Sequence, residues 1–180
     1  MNLHLETMAL NMPTVPAHPN RLPFRGVLTL VGVASQRSPT GARGHRVMLT
    51  RTATEEALPS LLGMALDYAP ALASHDARRK VGIITEATIV PLHDGRQPNA
   101  TGQIAVSGYL FAHDFPDVVH QIRAQLDNSL GMSYEIANAS VPNQDAFIWT
   151  VTDFTFTGAA VLRRDKAAYP QTWIALAASN

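Results

Sequence analysis

The stretch FIWTVTDFTFTGAAVL, residues 147–162, is the longest β-prone run in the chain and decides the fold class. β-Branched and aromatic residues dominate this run, which is typical of strands that pack against a core. Shorter runs of the same kind occur at 24–34, 45–50, 81–90, 103–112 and 131–139, with a final apolar segment at 173–178. The chain is therefore rich in short strands.

Two segments carry helix signals instead. Thr52 and Glu55 have the spacing of a capping box, and the apolar residues behind them recur at helical spacing, which predicts a helix to about Asp67. Asp114 and Pro116 predict the start of a second helix, as its N-cap and first-turn residue. The predicted strands outnumber the predicted helices, and the two do not alternate along the chain. We therefore predict an α+β fold, a mostly antiparallel β-barrel or sheet flanked by helices.

Length and proline content indicate one folded domain behind an N-terminal arm. The chain has 180 residues, a single-domain length. Residues 1–23 contain four prolines and no sustained periodicity, which predicts an extended arm or flexible tail, with a docking arm or a processed segment as alternatives. The folded domain is predicted at 24–180.

Composition excludes several classes of function. Lys plus Arg and Asp plus Glu number 14 each, so there is no basic surplus for nucleic-acid binding. Without cysteine there can be no disulfide, thiol nucleophile or thiolate metal site. No apolar run approaches the roughly 18 residues of a membrane span, and the N-terminus lacks signal-peptide order. We expect an intracellular globular protein without nucleic-acid or membrane partners.

Two polar residues stand at the edges of apolar elements, and together they indicate nucleophilic catalysis. Ser133 lies near the start of a predicted strand and His75 just before another. A serine needs a base to take its proton, and histidine suits that role near neutral pH. Residue 135 is Glu, so the Gly-x-Ser-x-Gly pattern of α/β-hydrolases is absent. From the residues alone this signal is weak, because a lone serine beside glycine is usually a turn residue and a lone histidine is usually a loop or core residue.

Metal chemistry is a weaker alternative. His75-Asp76 and His113-Asp114 both spell His-Asp, residue types that a metal-dependent hydrolase would use as ligands. Asp114 already has a predicted role as a helix cap, so we predict no metal and no cofactor.

Three motifs in order resemble one family. His75-Asp76, then LGMSYE at 130–135, then FTGAAVL at 156–162, resemble the tailed-phage prohead proteases. These are serine proteases of capsid maturation whose fold is similar to the herpesvirus assemblins. The resemblance runs from about Phe24 to Ala178. It implies Ser133 as the nucleophile and His75 as the general base of an acyl-transfer mechanism.

The resemblance also implies partners and a location. The substrates would be segments of the phage scaffold and major capsid protein, and the protease itself, within the procapsid in the cytoplasm of the bacterial host. The same resemblance implies a homodimer or a higher oligomer. The rival interpretation is a catalytically inactive structural or scaffolding protein of the same fold.

The third member of the triad departs from the family pattern and favours that rival. The matching position is Thr157, where the family has an acidic residue or a histidine. Asp153 is the alternative, although four residues along a strand displace it by about 13 Å. Asp76 and Glu135 are further candidates. Asp76 is next to His75 and Glu135 is two residues after Ser133, and we expect each carboxylate to face away from that neighbour.

The oxyanion site also has more than one candidate. The resemblance implies Arg163 and Arg164, because assemblins place paired arginines shortly after the third triad position. The backbone amides of Gly158 and Ala159 compete for the same role, and an exposed basic pair remains the alternative for the arginines.

Overall fold

A computed structural model describes residue 12 and residues 16–92, 101–125 and 129–178. Of these residues, 46% lie in strands and 13% in helices, so this part of the chain is mostly β. The strands are β1 (Arg21–Val31), β2 (Arg46–Leu49), β3 (Ala65–Tyr68), β4 (Lys80–Pro91), β5 (Gly102–Phe111), β6 (Leu130–Ser140), β7 (Ile148–Val151), β8 (Asp153–Arg163) and β9 (Trp173–Leu176). The helices are α1 (Arg51–Ala57) and α2 (Pro116–Ala124), with a 3-10 turn at Leu58–Leu61.

Seven strands form one curled sheet. Their order is β6-β8-β3-β4-β5-β1-β9, and β3 and β8 run parallel while the other neighbours run antiparallel. The sheet curls into a half-barrel with the two helices beside it, and β2 and β7 pair in parallel as a separate small sheet. The predicted α+β class therefore fits in broad terms, with a mixed rather than purely antiparallel sheet.

The buried core draws side chains from the strands and from both helices. Its largest fully buried side chains include Tyr68, Phe24, Phe156, Leu28, Leu49, Leu61, Leu66, Ile84, Ile104, Leu110 and Met132. Most of them lie in strands, and burial alternates along the first half of β8, where Phe154 and Phe156 are buried between exposed polar residues. The apolar alternation of the sequence thus determines which face of β8 packs inward.

The predicted first helix ends ten residues early. Pro59 has no backbone N–H, and beyond the 3-10 turn Gly63 adopts a φ of 82°, which reverses the chain. The helix also starts earlier than predicted, because Thr50 rather than Thr52 is the N-cap and accepts from the Ala53 N–H at 3.3 Å. As a result Asp67 lies in β3 and not at a helix end.

Two further boundaries differ from the sequence prediction. The run at 147–162 breaks at Thr152, so β7 and β8 belong to different sheets. Asp114 does not cap α2: the N-cap is Phe115, and the Asp114 carboxylate accepts from the Asn20 side-chain amide at 2.7 Å. Pro116 does lie in the first turn, as predicted.

The folded part begins slightly before the predicted boundary. β1 starts at Arg21, so Pro23, assigned to the arm, pairs with Tyr109 inside the sheet. Residues 1–11 and 13–15 of the predicted arm lie outside the described residues. None of the helices in the described ranges has the length and apolar content that crossing a membrane requires.

Candidate active site

A row of register partners places Ser133 on the same face of the sheet as a buried carboxylate. Ser133 of β6 pairs with Ala160 of β8, Ala160 with Asp67 of β3, and Asp67 with Lys80 of β4. Residues paired across neighbouring strands point to the same face of a sheet. Asp67 is fully buried in this row, and Lys80 Nζ lies 3.6 Å from Asp67 Oδ2.

His75 lies over this row in the loop that joins β3 to β4. Its Nδ1 is 3.1 Å from Glu135 Oε1 and 3.4 Å from Asp67 Oδ2. The other carboxylate oxygen of Asp67 accepts from the Asp76 N–H at 3.1 Å, and the Arg163 N–H donates to the Leu72 carbonyl at 2.8 Å. The loop is therefore fastened to both β3 and β8, which fixes the position of the imidazole.

Glu135 reaches His75 because the strand between them carries a glycine. Glu135 of β6 pairs with Gly158 of β8, and a Cβ atom at Gly158 would lie only 2.8 Å from Glu135 Oε2. The glutamate side chain crosses β8 through this gap. The expectation that Glu135 faces away from the proposed pair is therefore wrong, because residues 133 and 135 share a face of β6 and the carboxylate contacts His75.

A cavity of about 870 Å³ opens on this face. Ser133, His75, Glu135 and Thr157 all line it, and so do apolar residues of the small sheet, including Val47, Trp149 and Val151. The loop before β2 and the segment after β8 add the cations Arg37, Arg43 and Lys166. The structure thus brings Ser133 and His75 to one cavity, although within the described ranges no hydrogen bond joins the Ser133 hydroxyl to the imidazole.

The two predicted third members lie in different places. Thr157 is exposed and lines the cavity beside the register shift between β6 and β8. Asp153 is exposed and pairs with Ser140 at the far end of β6, and it is not among the residues that line the cavity. The residues that contact the His75 Nδ1 are Asp67 and Glu135 instead.

The paired arginines are engaged outside the cavity. The Arg163 guanidinium binds the Asp165 carboxylate at 2.6 and 2.9 Å, which raises the pKa of Arg163 and lowers that of Asp165. Arg164 Nε donates to the Thr172 carbonyl at 3.2 Å. Neither arginine lines the cavity. The competing oxyanion candidates are the backbone amides of Gly158 and Ala159. Both residues lie in β8, which has a neighbouring strand on each side.

The outer edge of β6 carries a backbone donor next to Ser133. β6 is the edge strand of the large sheet, and its Met132 N–H points away from β8 to the Thr172 hydroxyl at 3.1 Å. Backbone groups along an antiparallel strand alternate between its two sides, so the Tyr134 N–H also points away from β8. An amide donor thus follows directly after Ser133 on the side of the strand that faces away from β8.

Tyr134 contributes packing rather than proton transfer. Its ring packs edge to face on Phe156, with the ring centroids 6.0 Å apart. Burial raises the pKa of Tyr134 well above its ordinary value, and the neighbouring Tyr169 raises it further. The phenol therefore stays protonated at neutral pH and does not act as a base.

Comparison with known proteins gives the family. A family model described as the YonD N-terminal domain matches residues 71–179, more than half of the chain. The chain belongs to the YonD N-terminal domain family. Membership indicates a phage-related protein. No curated protein and no solved structure matches the chain.

The segment matched to the YonD N-terminal domain contains most of the site. His75, Ser133 and Glu135 lie inside it, whereas Asp67 precedes it by four residues (71 minus 67). Asp67 is the site residue that sequence reasoning missed, because it was assigned to the end of a helix. The sequence does give one signal for Asp67: it is the single acidic residue in the apolar run Ala65–Tyr68, eight positions before His75.

Three residues of this site could also hold a metal ion. One ligand atom each from Asp67, His75 and Glu135 lies within 4.8 Å of the other two. Of the two His-Asp pairs of the sequence, only His75 belongs to this cluster among the described residues. The Asn20 side chain binds the His113 N–H and the Asp114 carboxylate near the start of α2.

Proposed function

We propose that the protein is a serine endopeptidase of phage capsid maturation, with an assemblin-like arrangement of its sheet. The observation that carries the proposal is the position of His75, whose Nδ1 is held by Glu135 and Asp67 on the face that carries Ser133. Two carboxylate acceptors at Nδ1 keep the proton on that nitrogen, so Nε2 is left with a lone pair. Membership in a phage-related family supports the biological setting.

In the proposed reaction Ser133 Oγ attacks a peptide carbonyl while His75 Nε2 takes the hydroxyl proton. The imidazolium then gives this proton to the leaving amine, and water releases the acyl group by the same steps in reverse order. The carboxylates of Asp67 and Glu135 orient the ring and stabilise its positive charge. They supply the negative charge that Thr157 does not bring.

The outer edge of β6 suits both the oxyanion and the substrate. The Tyr134 N–H is the donor that we assign to the developing oxyanion, because it follows the nucleophile and points away from β8. An extended peptide could pair with the same edge, which is how many proteins bind unfolded segments. The oxyanion role of Arg163 and Arg164 stays a prediction of the resemblance.

The proposed substrates are extended segments of the phage scaffold and major capsid protein, together with the protease itself. The proposed place of action is the procapsid in the bacterial cytoplasm, and a homodimer or higher oligomer is part of the same proposal. The cavity supports a peptide substrate because its wall combines apolar residues with three cations at the rim.

The test does not require a known substrate. The wild type and Ser133→Ala are treated with a fluorophosphonate, which reacts with activated serines, and their intact masses are compared. Ser140→Ala is the matched control, because Ser140 is an exposed serine at the other end of β6. We expect one adduct on the wild type and on Ser140→Ala, located at Ser133, and none on Ser133→Ala.

Co-expression with candidate scaffold or capsid proteins extends the test to peptide cleavage. Fragments formed by the wild type and absent with Ser133→Ala would establish the nucleophile and map the cleavage sites. Equal cleavage by both would show that Ser133 is the wrong residue. The absence of both adduct and fragments would favour the structural or scaffolding role.

A further inference from the structure

The cluster formed by Asp67, His75 and Glu135 has the donor set of a transition-metal site. It offers one imidazole nitrogen and two carboxylate oxygens, a combination that zinc accepts in proteins. Asp67 is fully buried, while His75 and Glu135 have side chains 25% and 29% exposed. The cluster is therefore anchored at its base and open toward the cavity.

Two of the three ligand distances suit a tetrahedral ion. Zinc binds nitrogen and oxygen at roughly 2.0–2.2 Å, which places neighbouring tetrahedral ligands about 3.3–3.5 Å apart. His75 Nδ1 lies 3.4 Å from Asp67 Oδ2 and 3.1 Å from Glu135 Oε1, close to that spacing, and one ligand atom from each residue lies within 4.8 Å of the other two. We propose that Asp67, His75 and Glu135 bind a divalent transition-metal ion such as zinc, with a fourth position open to the cavity.

The surroundings permit such an ion without rebuilding the fold. Lys80 Nζ, 3.6 Å from Asp67 Oδ2, would have to leave, and its partly exposed side chain can swing into solvent. Asp67 Oδ1 stays bonded to the Asp76 N–H, the kind of supporting hydrogen bond that orients a metal-bound carboxylate. Gly158 keeps open the gap through which Glu135 reaches the site.

Metal binding would switch off the general base, a consequence that rests on the proposed function. A neutral imidazole carries one proton on its two nitrogens. An ion bound at Nδ1 leaves that proton on Nε2, which then cannot accept the proton of Ser133. The metal is thus an inhibitor of the proposed protease, and its removal restores the base.

Zinc chloride titrated into the metal-free full-length protein tests the site by calorimetry, with the thermal unfolding midpoint as a second readout. We expect one zinc ion per chain for the wild type and Ser133→Ala, and binding at least about tenfold weaker for Glu135→Gln and Asp67→Asn. His120→Gln is the matched control, because His120 is exposed on α2 and outside the cluster.

Glu135→Gln decides the matter, since Asp67 is buried and its replacement can disturb folding. Unchanged zinc affinity in Glu135→Gln, or equal loss in His120→Gln, would overturn the proposal. Fluorophosphonate labelling with and without zinc separates the two proposals. Zinc binding without any labelling would support the metal site and contradict the proposed protease. Labelling without zinc binding would support the protease and contradict the metal site.

Discussion

The imidazole of His75 is the group on which the proposed chemistry depends. Two carboxylates from different strands approach its Nδ1, and the buried one, Asp67, is held in turn by the Asp76 N–H. An orienting acid fixes the tautomer and stabilises the imidazolium, so its loss lowers the rate without removing the nucleophile. Thr157 shares the cavity but makes no hydrogen bond to His75 within the described ranges.

Substitutions at these positions separate the candidate orienting groups. We expect Glu135→Gln to slow fluorophosphonate labelling about tenfold, because Asp67 remains, and the double variant with Asp67→Asn to slow it by about 10³ to 10⁴. Thr157→Val should leave the labelling rate nearly unchanged. A larger effect of Thr157→Val than of Glu135→Gln would return the orienting role to the threonine.

At the scale of the elements, β8 makes the site possible by carrying small residues. Ala160 lies between Ser133 and Asp67, and Gly158 lies under the Glu135 side chain. Side chains of ordinary size on this middle strand would separate the groups that β6 and β3 contribute. The GAAVL end of the longest β-prone run is therefore a requirement of the site as well as of the strand.

Two glycine substitutions should affect different properties, the labelling of Ser133 in one case and the stability of the fold in the other. In Gly158→Ala the new Cβ meets the flexible end of Glu135, so we expect labelling of Ser133 to slow about tenfold to a hundredfold with little loss of stability. In Gly108→Ala the new Cβ overlaps the Ile83 backbone carbonyl, which cannot move easily, and the expected result is lower stability. Chemical unfolding of both variants, beside labelling, checks the contrast. A Gly158→Ala protein with full labelling would contradict it.

At the scale of the whole molecule, Thr172 ties the edge strand of the site to the C-terminal segment. Its buried hydroxyl accepts from the Met132 N–H at 3.1 Å and donates to the Tyr169 carbonyl at 2.9 Å. Its own carbonyl accepts from Arg164. These bonds hold β6, and with it Ser133, against the chain that leads to β9 at the opposite end of the curled sheet.

Replacing this threonine tests the tie. Thr172→Val leaves the Met132 N–H without its acceptor, and we expect unfolding free energy to fall by about 1–3 kcal/mol. Thr155→Val, an equal change at an exposed position of β8, should alter it by less than about 0.5 kcal/mol. Urea unfolding of the two variants gives the comparison, and equal values would show that Thr172 makes no special contribution.

The sequence by itself determined most of the strands, because alternation and β-branched content report which faces are buried, but it assigned β3 to a helix and joined β7 to β8. It also singled out Ser133 and His75 and predicted Pro116 in the first turn of α2. It predicted too long a first helix, because the apolar spacing continues past Pro59 although the backbone does not stay helical there. Asp67 was therefore missed as a site residue. Only the tertiary structure decided which carboxylates reach His75: that contact depends on the register of β6, β8 and β3 and on the gap at Gly158. Pairing between distant strands is a long-range property, and local sequence patterns carry no information about it.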